Sequence, residues 1–199
     1  TFTYSVSHDL KAPLRGIDGY SRLLLEDYRD RLDQAGILLV NNVRNGVAQM
    51  SQLIEDLLAY SRMERRSLLG QRLDLSQAVA RVLSEMRAEI QQHGMVVDTS
   101  LQGLTVRADP EGLAVVLRNL VDNAVKFSRD SHPPTLSITG VASEKSTTLI
   151  VRDNGIGFDM QFHNRIFEIF QRLQRAEEYP GTGVGLAIVR KAMQRMGGQ

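Results

Sequence analysis

The stretch that follows Asp109 places Asn119, Asn123 and Lys126 four and three residues apart, on one narrow face of a helix turning about 100° per residue. Leu113, Leu117, Leu120 and Ala124 fall on another face. Asparagine carbonyl oxygens are hard, neutral ligands suited to Mg²⁺, an ion that keeps several waters and shares phosphate oxygens with a protein. Lys126, one turn on, can meet a phosphate, and Phe127 at the border of the two stripes offers a ring to a nucleobase. A solvated helix face has the same spacing, so this stretch alone does not decide. A second stretch, Leu149-Ile150-Val151, runs into Asp153-Asn154-Gly155-Ile156-Gly157, where glycines allow a sharp turn and close backbone approach. A carboxylate accepts hydrogen bonds and cannot donate, so Asp153 suits the exocyclic amine of adenine and disfavours guanine. An ordinary turn also reads Asp-Asn-Gly. The third stretch, Gly181-Thr182-Gly183-Val184-Gly185-Leu186, precedes a helical pattern, whose free N–H groups and dipole receive phosphate oxygens. Its spacing is not the dinucleotide fingerprint, and Walker A and eukaryotic-type kinase signatures are absent.

The elements that must position these residues come in two kinds. From Phe2 to about Tyr28, Val6, Leu10, Ile17 and Leu24 recur at helical spacing, with Pro13 expected to kink the helix locally. After Asp33, Val40, Val43, Val47, Met50, Ile54 and Leu57 alternate at three and four residues, the a/d seam of helices that pack lengthwise. Two helices joined near Arg29 to Gln34 form an antiparallel hairpin with too little interior for both stripes. Pairing with a second copy into a four-helix bundle is the expected solution. Residues 1–66 are therefore read as a hairpin and 67–72 as a linker ahead of a domain over 73–199. In that domain strands are expected at Leu73–Leu75, Met95–Thr99, Thr105–Ala108, Thr135–Val141 and Thr147–Arg152. Helices are expected at Gln77–Gln92, from Asp109 to about Ser128, and at Gly183–Met196. Asp109 is a good N-cap with Pro110 at the first helical position. The fold class is α+β, an α/β sandwich with helices on one face of a mixed sheet behind the helical hairpin.

The 199 residues allow one large domain or two compact ones, and 42% hydrophobic with 24% charged residues is the composition of a globular protein. Lys plus Arg number 24 against 23 Asp plus Glu, so no charge excess points to nucleic acid or an anionic membrane. The absence of cysteine rules out disulfides and thiolate metal sites and fits a cytoplasmic setting. No apolar run approaches the ~20 residues that span a bilayer. The chain starts in helical pattern and stops after another helix, so it reads as a piece excised at both ends, with C-terminal strands of the second domain missing.

Taken in order, these segments resemble the ATP-binding domain of histidine kinases and of their gyrase, Hsp90 and mismatch-repair relatives. Asn119-Leu120-Val121-Asp122-Asn123-Ala124-Val125-Lys126-Phe127 is similar to the N box, Asp153-Asn154-Gly155-Ile156-Gly157 to the G1 box, Ile166-Phe167-Glu168-Ile169-Phe170-Gln171-Arg172 to the F box, and Gly181 to Leu186 to the G2 box. The resemblance implies ATP with Mg²⁺ under a lid at about Gln174 to Pro180. Asp153, with Gly155 and Gly157, would hold adenine, Asn119 and Asn123 the metal, Lys126 and Arg172 the phosphates, and Thr182, Gly183, Gly185 and Leu186 the phosphate loop. Phe127 stands where a tyrosine is frequent, which keeps the ring and loses a hydroxyl contact. Ser7-His8-Asp9-Leu10-Lys11-Ala12-Pro13-Leu14 resembles the H box of the dimerisation and phosphotransfer domain, absent from the gyrase and chaperone relatives. It implies that His8 is the phosphorylated nucleophile, with Asp9 stabilising the charge that develops on it. His93, His132 and His163 are read as ordinary surface or capping residues. The implied protein is an autophosphorylating sensor histidine kinase core, a homodimer that passes phosphate to a response regulator receiver domain and takes its signal from a sensor outside this chain. The wording around His8 and at Tyr179-Pro180-Gly181-Thr182-Gly183 is similar to kinases that follow PAS or phytochrome-type sensors. Two rivals stand beside this reading: a nucleotide-binding pseudokinase scaffold, and a gyrase-like clamp that dimerises only with ATP. At Ala12 kinases of this type that also dephosphorylate their regulators commonly carry Thr or Asn, so a kinase-biased activity is expected.

Overall fold

Heptad spacing gives the first unit, residues 1–62, its form. A computed structural model describes residues 2–65, 69–174 and 178–199, without the side chains of residues 2–8 and Arg65. α1 (Phe2–Asp27) is continuous through Pro13 and meets α2 (Gln34–Arg65) through a short 3₁₀ turn at Arg29–Arg31. Asp33 starts α2 by accepting the Gly36 N–H through Oδ1 at 2.7 Å, a side-chain answer to a donor left over at a helix start. Leu14, Val47, Ile54 and Leu58 form the hairpin's own buried cluster, with Ser21 beside Leu14 in the α1 heptad. The alternate seam positions Leu10, Ile17, Leu24, Val43 and Met50 stay between 42% and 50% exposed. Val47 and Ile54, expected in a seam between copies together with Val43 and Met50, are thus satisfied inside one chain. Hydrophobic spacing marks a seam without saying which half of it faces the helix's own partner. His8 lies on the backbone of α1, but its side chain, and with it the nucleophilic role expected there, falls outside the described residues.

The second unit, residues 63–199, holds two sheets. β1 (Gln71–Asp74) pairs antiparallel with β3 (Thr105–Ala108), and β2 (Val96–Ser100), β4 (Thr135–Ala142) and β5 (Thr147–Asp153) form a mixed sheet in the order β2-β4-β5. β2 runs parallel to β4 and β5 antiparallel to it, with Val97 opposite Leu136 and Ile138 opposite Val151. β1 begins at Gln71, opposite Ala108, so it takes in two residues expected in the linker, and residues 67–68 of that linker, with residue 66 at the expected end of the hairpin, lie outside the described set. Leu75, expected to end the strand, opens α3 (Leu75–Glu85), because Asp74 caps the helix by accepting the Gln77 N–H.

The single helix expected over Gln77–Gln92 is two, α3 and α4 (Arg87–Gln92), divided at Met86 in a near-bridge conformation with φ −96 and ψ 9. The turn brings Ile90 back into the core that Val79 and Val82 already occupy. No glycine or proline marks the break. α5 (Pro110–Phe127) and α3 lie over the sheet: Val79, Val82, Leu113, Leu117, Val121, Leu136 and Ile138 share one core. Burying each such side chain contributes about 1.5–3 kcal/mol. α6 (Gly185–Arg195) covers another side of α5 through Val189 and Ala192 against Val116. His93, His132 and His163 are exposed, and His93 is the C-cap of α4. No described helix is long and apolar enough to cross a membrane.

Candidate functional site

The site begins with the capping of α5. The buried Asp109 carboxylate accepts the Gly112 N–H at 3.0 Å, and Pro110 occupies the first turn, where a missing donor costs nothing. The helix start being fixed, Asn119, Asn123 and Lys126 emerge between two buried flanks, one on the sheet and one on α6. Asn119 donates through Nδ2 to the Val115 carbonyl at 2.8 Å. Its Oδ1 faces the first residue of α6 so closely that a Cβ on Gly185 would stand 2.8 Å from it. Asn123 accepts through Oδ1 from Lys126 Nζ at 3.3 Å.

Lys126 Nζ also sits 4.4 Å from the centre of the Phe127 ring, and a Cβ on Gly181 would lie 3.1 Å from it. Burial holds the Lys126 ammonium below its ordinary pKa of 10.5; Asp122 pushes the other way, and Arg172 adds to the depression. Two cations are thus brought together beside a glycine loop, an arrangement that gains from an anion between them.

The loop that follows β5 is tied to the end of α5. Asp153 accepts the Gly155 N–H through Oδ1 at 2.8 Å, which leaves acceptor capacity on an exposed carboxylate. A Cβ on Gly155 would lie 2.6 Å from the Phe127 carbonyl oxygen, and Ile156 donates to that same oxygen at 3.2 Å. Asn154 braces the turn from behind: Oδ1 accepts from Thr135 N, Nδ2 donates to the Pro133 carbonyl, and its own carbonyl accepts from Ser131 Oγ. Gly157 takes φ +62 in the left-handed region.

The third segment meets the stretch before it. Phe170, a non-glycine residue at φ 67, donates its N–H to the Gly183 carbonyl at 3.0 Å. Gly183 itself has φ 74, and a Cβ there would lie 2.7 Å from the Gln171 carbonyl oxygen. Val184 is fully buried, and as the N-cap of α6 it offers no side-chain bond to the helix start. The first-turn donors of α6 therefore open beside Asn119, as at an anion-binding helix start. Thr182 and Leu186 are half-buried at this junction. Arg172 donates through Nη2 to the Tyr179 carbonyl at 2.8 Å.

Asn119, Asn123, Lys126, Phe127, Arg172 and the 181–186 loop thus converge, and Asp153, Gly155 and Gly157 border them through the end of α5. His8 and Asp9 belong to the other unit. Of the lid expected at 174–180, residues 175–177 lie outside the described set. Sequence reasoning passed over Asn154, Tyr179 and Asp130. Asn154 was visible only as a turn residue, and no local pattern links Tyr179 to Asp130.

Residues 1–66 match the His Kinase A (phospho-acceptor) domain, and residues 108–199 match the histidine kinase-, DNA gyrase B- and HSP90-like ATPase family. The chain belongs to the sensor histidine kinase family. Cyanobacterial phytochrome A of Nostoc sp. strain PCC 7120 is 38% identical to this kinase core over 193 residues, covering 97% of the chain and 25% of that protein. Phytochrome-like protein Cph1 of Synechocystis sp. strain PCC 6803 is 36% identical, covering 100% of the chain and 26% of that protein. The kinase core thus spans about a quarter of the length of these curated relatives, and it is similar to kinases that follow phytochrome-type sensors. Full-length ShkA, solved in complex with AMPPNP, matches at 27% identity with a TM-score of 0.70 over 98% of this chain and 41% of that one. ThkA, solved with the response regulator protein TrrA, shares the fold at 22% identity and a TM-score of 0.67, over 99% of this chain and 55% of that one.

Proposed function

We propose that this kinase core binds ATP with Mg²⁺ in the second unit and transfers the γ-phosphoryl group to His8. The half-buried Lys126 ammonium, set against Gly181 and beside Arg172 where the glycine loop leads to an uncapped helix start, carries this reading. Asn119 and Asn123 supply neutral oxygens of the kind Mg²⁺ takes alongside phosphate, and the cation would neutralise charge on the triphosphate. Among the described residues no group of three His, Cys, Asp or Glu converges, so such an ion would share its shell between these asparagines, phosphate and water. Lys126 and Arg172 hold the phosphates, Asp153 accepts from adenine with Gly155 and Gly157 shaping its turn, and Phe127 lies against the nucleoside. Gly183, Gly185, Thr182 and Leu186 place the α6 donors.

In the transfer an imidazole nitrogen of His8 bonds to the γ-phosphorus as the bond to the β-phosphate oxygen breaks and ADP leaves. Asp9 stabilises the positive ring until its proton is lost. The phosphoryl group then passes to an aspartate of a response regulator receiver domain. The exposed half of the hairpin seam, Leu10, Ile17, Leu24, Val43 and Met50, fits a second copy, and the protein works as a homodimer in the cytoplasm, driven by a sensor outside this chain. Residues 1–66 are the phosphotransfer hairpin and 73–199 the catalytic domain. Incubation with γ-labelled ATP should put acid-labile label on the wild type and none on His8→Ala, and label retained by His8→Ala would refute the assignment. An unlabelled wild type that still binds ATP would favour the scaffold rival.

A further inference from the structure

Tyr179 is 8% exposed although it lies in a loop, and nothing in the proposed chemistry requires a phenol there. Its ring rests 5.4 Å from the Phe127 ring at 36°, and the Arg129 guanidinium lies 4.3 Å from its centre. Its hydroxyl donates to Asp130 Oδ2 at 3.0 Å, across 49 residues of sequence. On the backbone side its carbonyl accepts from Arg172 Nη2 at 2.8 Å. Phe127, Arg129 and Asp130 all sit at the C-terminal end of α5, while Arg172 and Tyr179 come from the segment that leads into the 181–186 loop. The contact therefore fastens Tyr179, and through its carbonyl Arg172, to the end of the helix that carries Lys126.

Arg172 needs such a fastening. Its side chain and Lys126 both border the 181–186 loop, a Cβ on Gly183 standing 3.0 Å from Arg172 Cγ and one on Gly181 3.1 Å from Lys126 Nζ, so two cations share that loop with no described carboxylate bonded to the guanidinium. The described side-chain bond that holds the guanidinium is the one to Tyr179 O, and a carbonyl positions a guanidinium only as well as its own residue is fixed.

We propose that Tyr179, locked by Asp130 and clasped between Phe127 and Arg129, is a positioning residue that holds Arg172 in place for the phosphates of the nucleotide. The proposal rests on the nucleotide-site reading above. Tyr179→Phe keeps the ring and removes the donor, and Asp130→Asn keeps the shape and weakens the acceptor, so both spare the packing. Each should lower affinity for AMPPNP and raise the KM for ATP by roughly three- to tenfold, the range of one hydrogen bond to a charged group at a partly wet site. The kcat of autophosphorylation should stay within about twofold, as for an interaction made equally in ground and transition states. Melting of the 199-residue chain should fall only slightly, since one hydrogen bond near the surface contributes little to the folded state. In an Arg172→Ala background, Tyr179→Phe should have no further effect, because the group it positions is gone.

The measurements are calorimetric titration with AMPPNP and initial rates of phosphorylation against ATP concentration. Wild-type affinity in both Tyr179→Phe and Asp130→Asn, or a full additional loss in the Arg172→Ala background, overturns the latch while leaving the nucleotide site intact. A wild type that fails to bind AMPPNP overturns the site reading itself, and the proposal with it.

Discussion

Lys126 shows at the scale of one residue what the fold asks of its ligand. Its folded pKa is lowered from 10.5, chiefly by burial, so between the two values the unfolded chain binds more protons and stability rises with pH through that window. Below that window the folded domain holds a charge it disfavours, and a bound triphosphate should restore the pKa. Nucleotide binding at pH values in and just above the lowered range is expected to take up protons. Titrations in two buffers of different ionisation enthalpy would show it, Lys126→Met should abolish it, and zero uptake by the wild type would remove Lys126 from the phosphates. The latch titrates the opposite way at each end. The Tyr179 bond and then Arg129 hold the Asp130 carboxyl below 3.8, with His132 assisting, so its contribution is complete above 3.8 and is lost as acid takes it through the lower folded value. The Asp130 bond holds the Tyr179 phenol above 10.0, against Arg129 and with Glu178, so its share is complete below 10.0 and fades as alkali takes it through the raised folded value. The neutral range keeps both. At Ala12, exposed on α1, the side chain can place no water, so phosphatase activity toward a phosphorylated regulator should be weak. Ala12→Thr should increase phosphate release, and rapid release that it does not increase would count against the idea. Asn119, Asn123 and Lys126 were legible because one helix sets their spacing, whereas Tyr179 and Asp130 meet only through tertiary structure.

Among the elements, the passage from the Phe170 stretch into α6 is the most constrained. A methyl group on Gly183 would face backbone 2.7 Å away and a φ of 74 at once, so neither rotamer nor side-chain movement relieves it. Gly183→Ala should cost about 1–3 kcal/mol of domain stability and lose most nucleotide affinity. Chemical denaturation and AMPPNP titration check this, and a stable variant with wild-type affinity would show that the loop can shift freely. The start of α5 could be read directly because Asp109-Pro110 is a local capping signal that the structure uses as such. The break at Met86 could not, since its cause is the return of Ile90 to a core built from distant strands. β1 was misplaced by two residues for a related reason: Asp74 serves as a cap as well as a strand end, and a cap outranks the apolar Leu75 beside it.

For the whole molecule, the hairpin makes a prediction that separates association from folding. Val47 and Ile54 are 9% and 7% exposed inside one chain, whereas Val43 and Met50 are about half exposed. Val43→Glu with Met50→Glu should give helical monomers, and Val47→Glu with Ile54→Glu should unfold the hairpin, since an unpaired buried charge costs several kcal/mol. Light scattering beside circular dichroism distinguishes the two, and an intact dimer of the first pair would place the interface elsewhere. The a/d repeat declared both helices and the need for a partner, but it is the same repeat on both halves of the seam, and only packing assigns the halves.

Among the described residues, the start of α6 carries no side-chain cap. Val184 provides no side-chain acceptor, so the amides of the first helical turn lack the partner that Asp74 and Asp109 supply for α3 and α5. If phosphate oxygens complete that turn, ATP is a folding ligand as well as a substrate, and it adds RT ln(1 + [L]/Kd) to the domain's stability. A cell running short of ATP would then hold a looser kinase as well as a slower one, with the α6 amides the first to exchange their hydrogens with solvent.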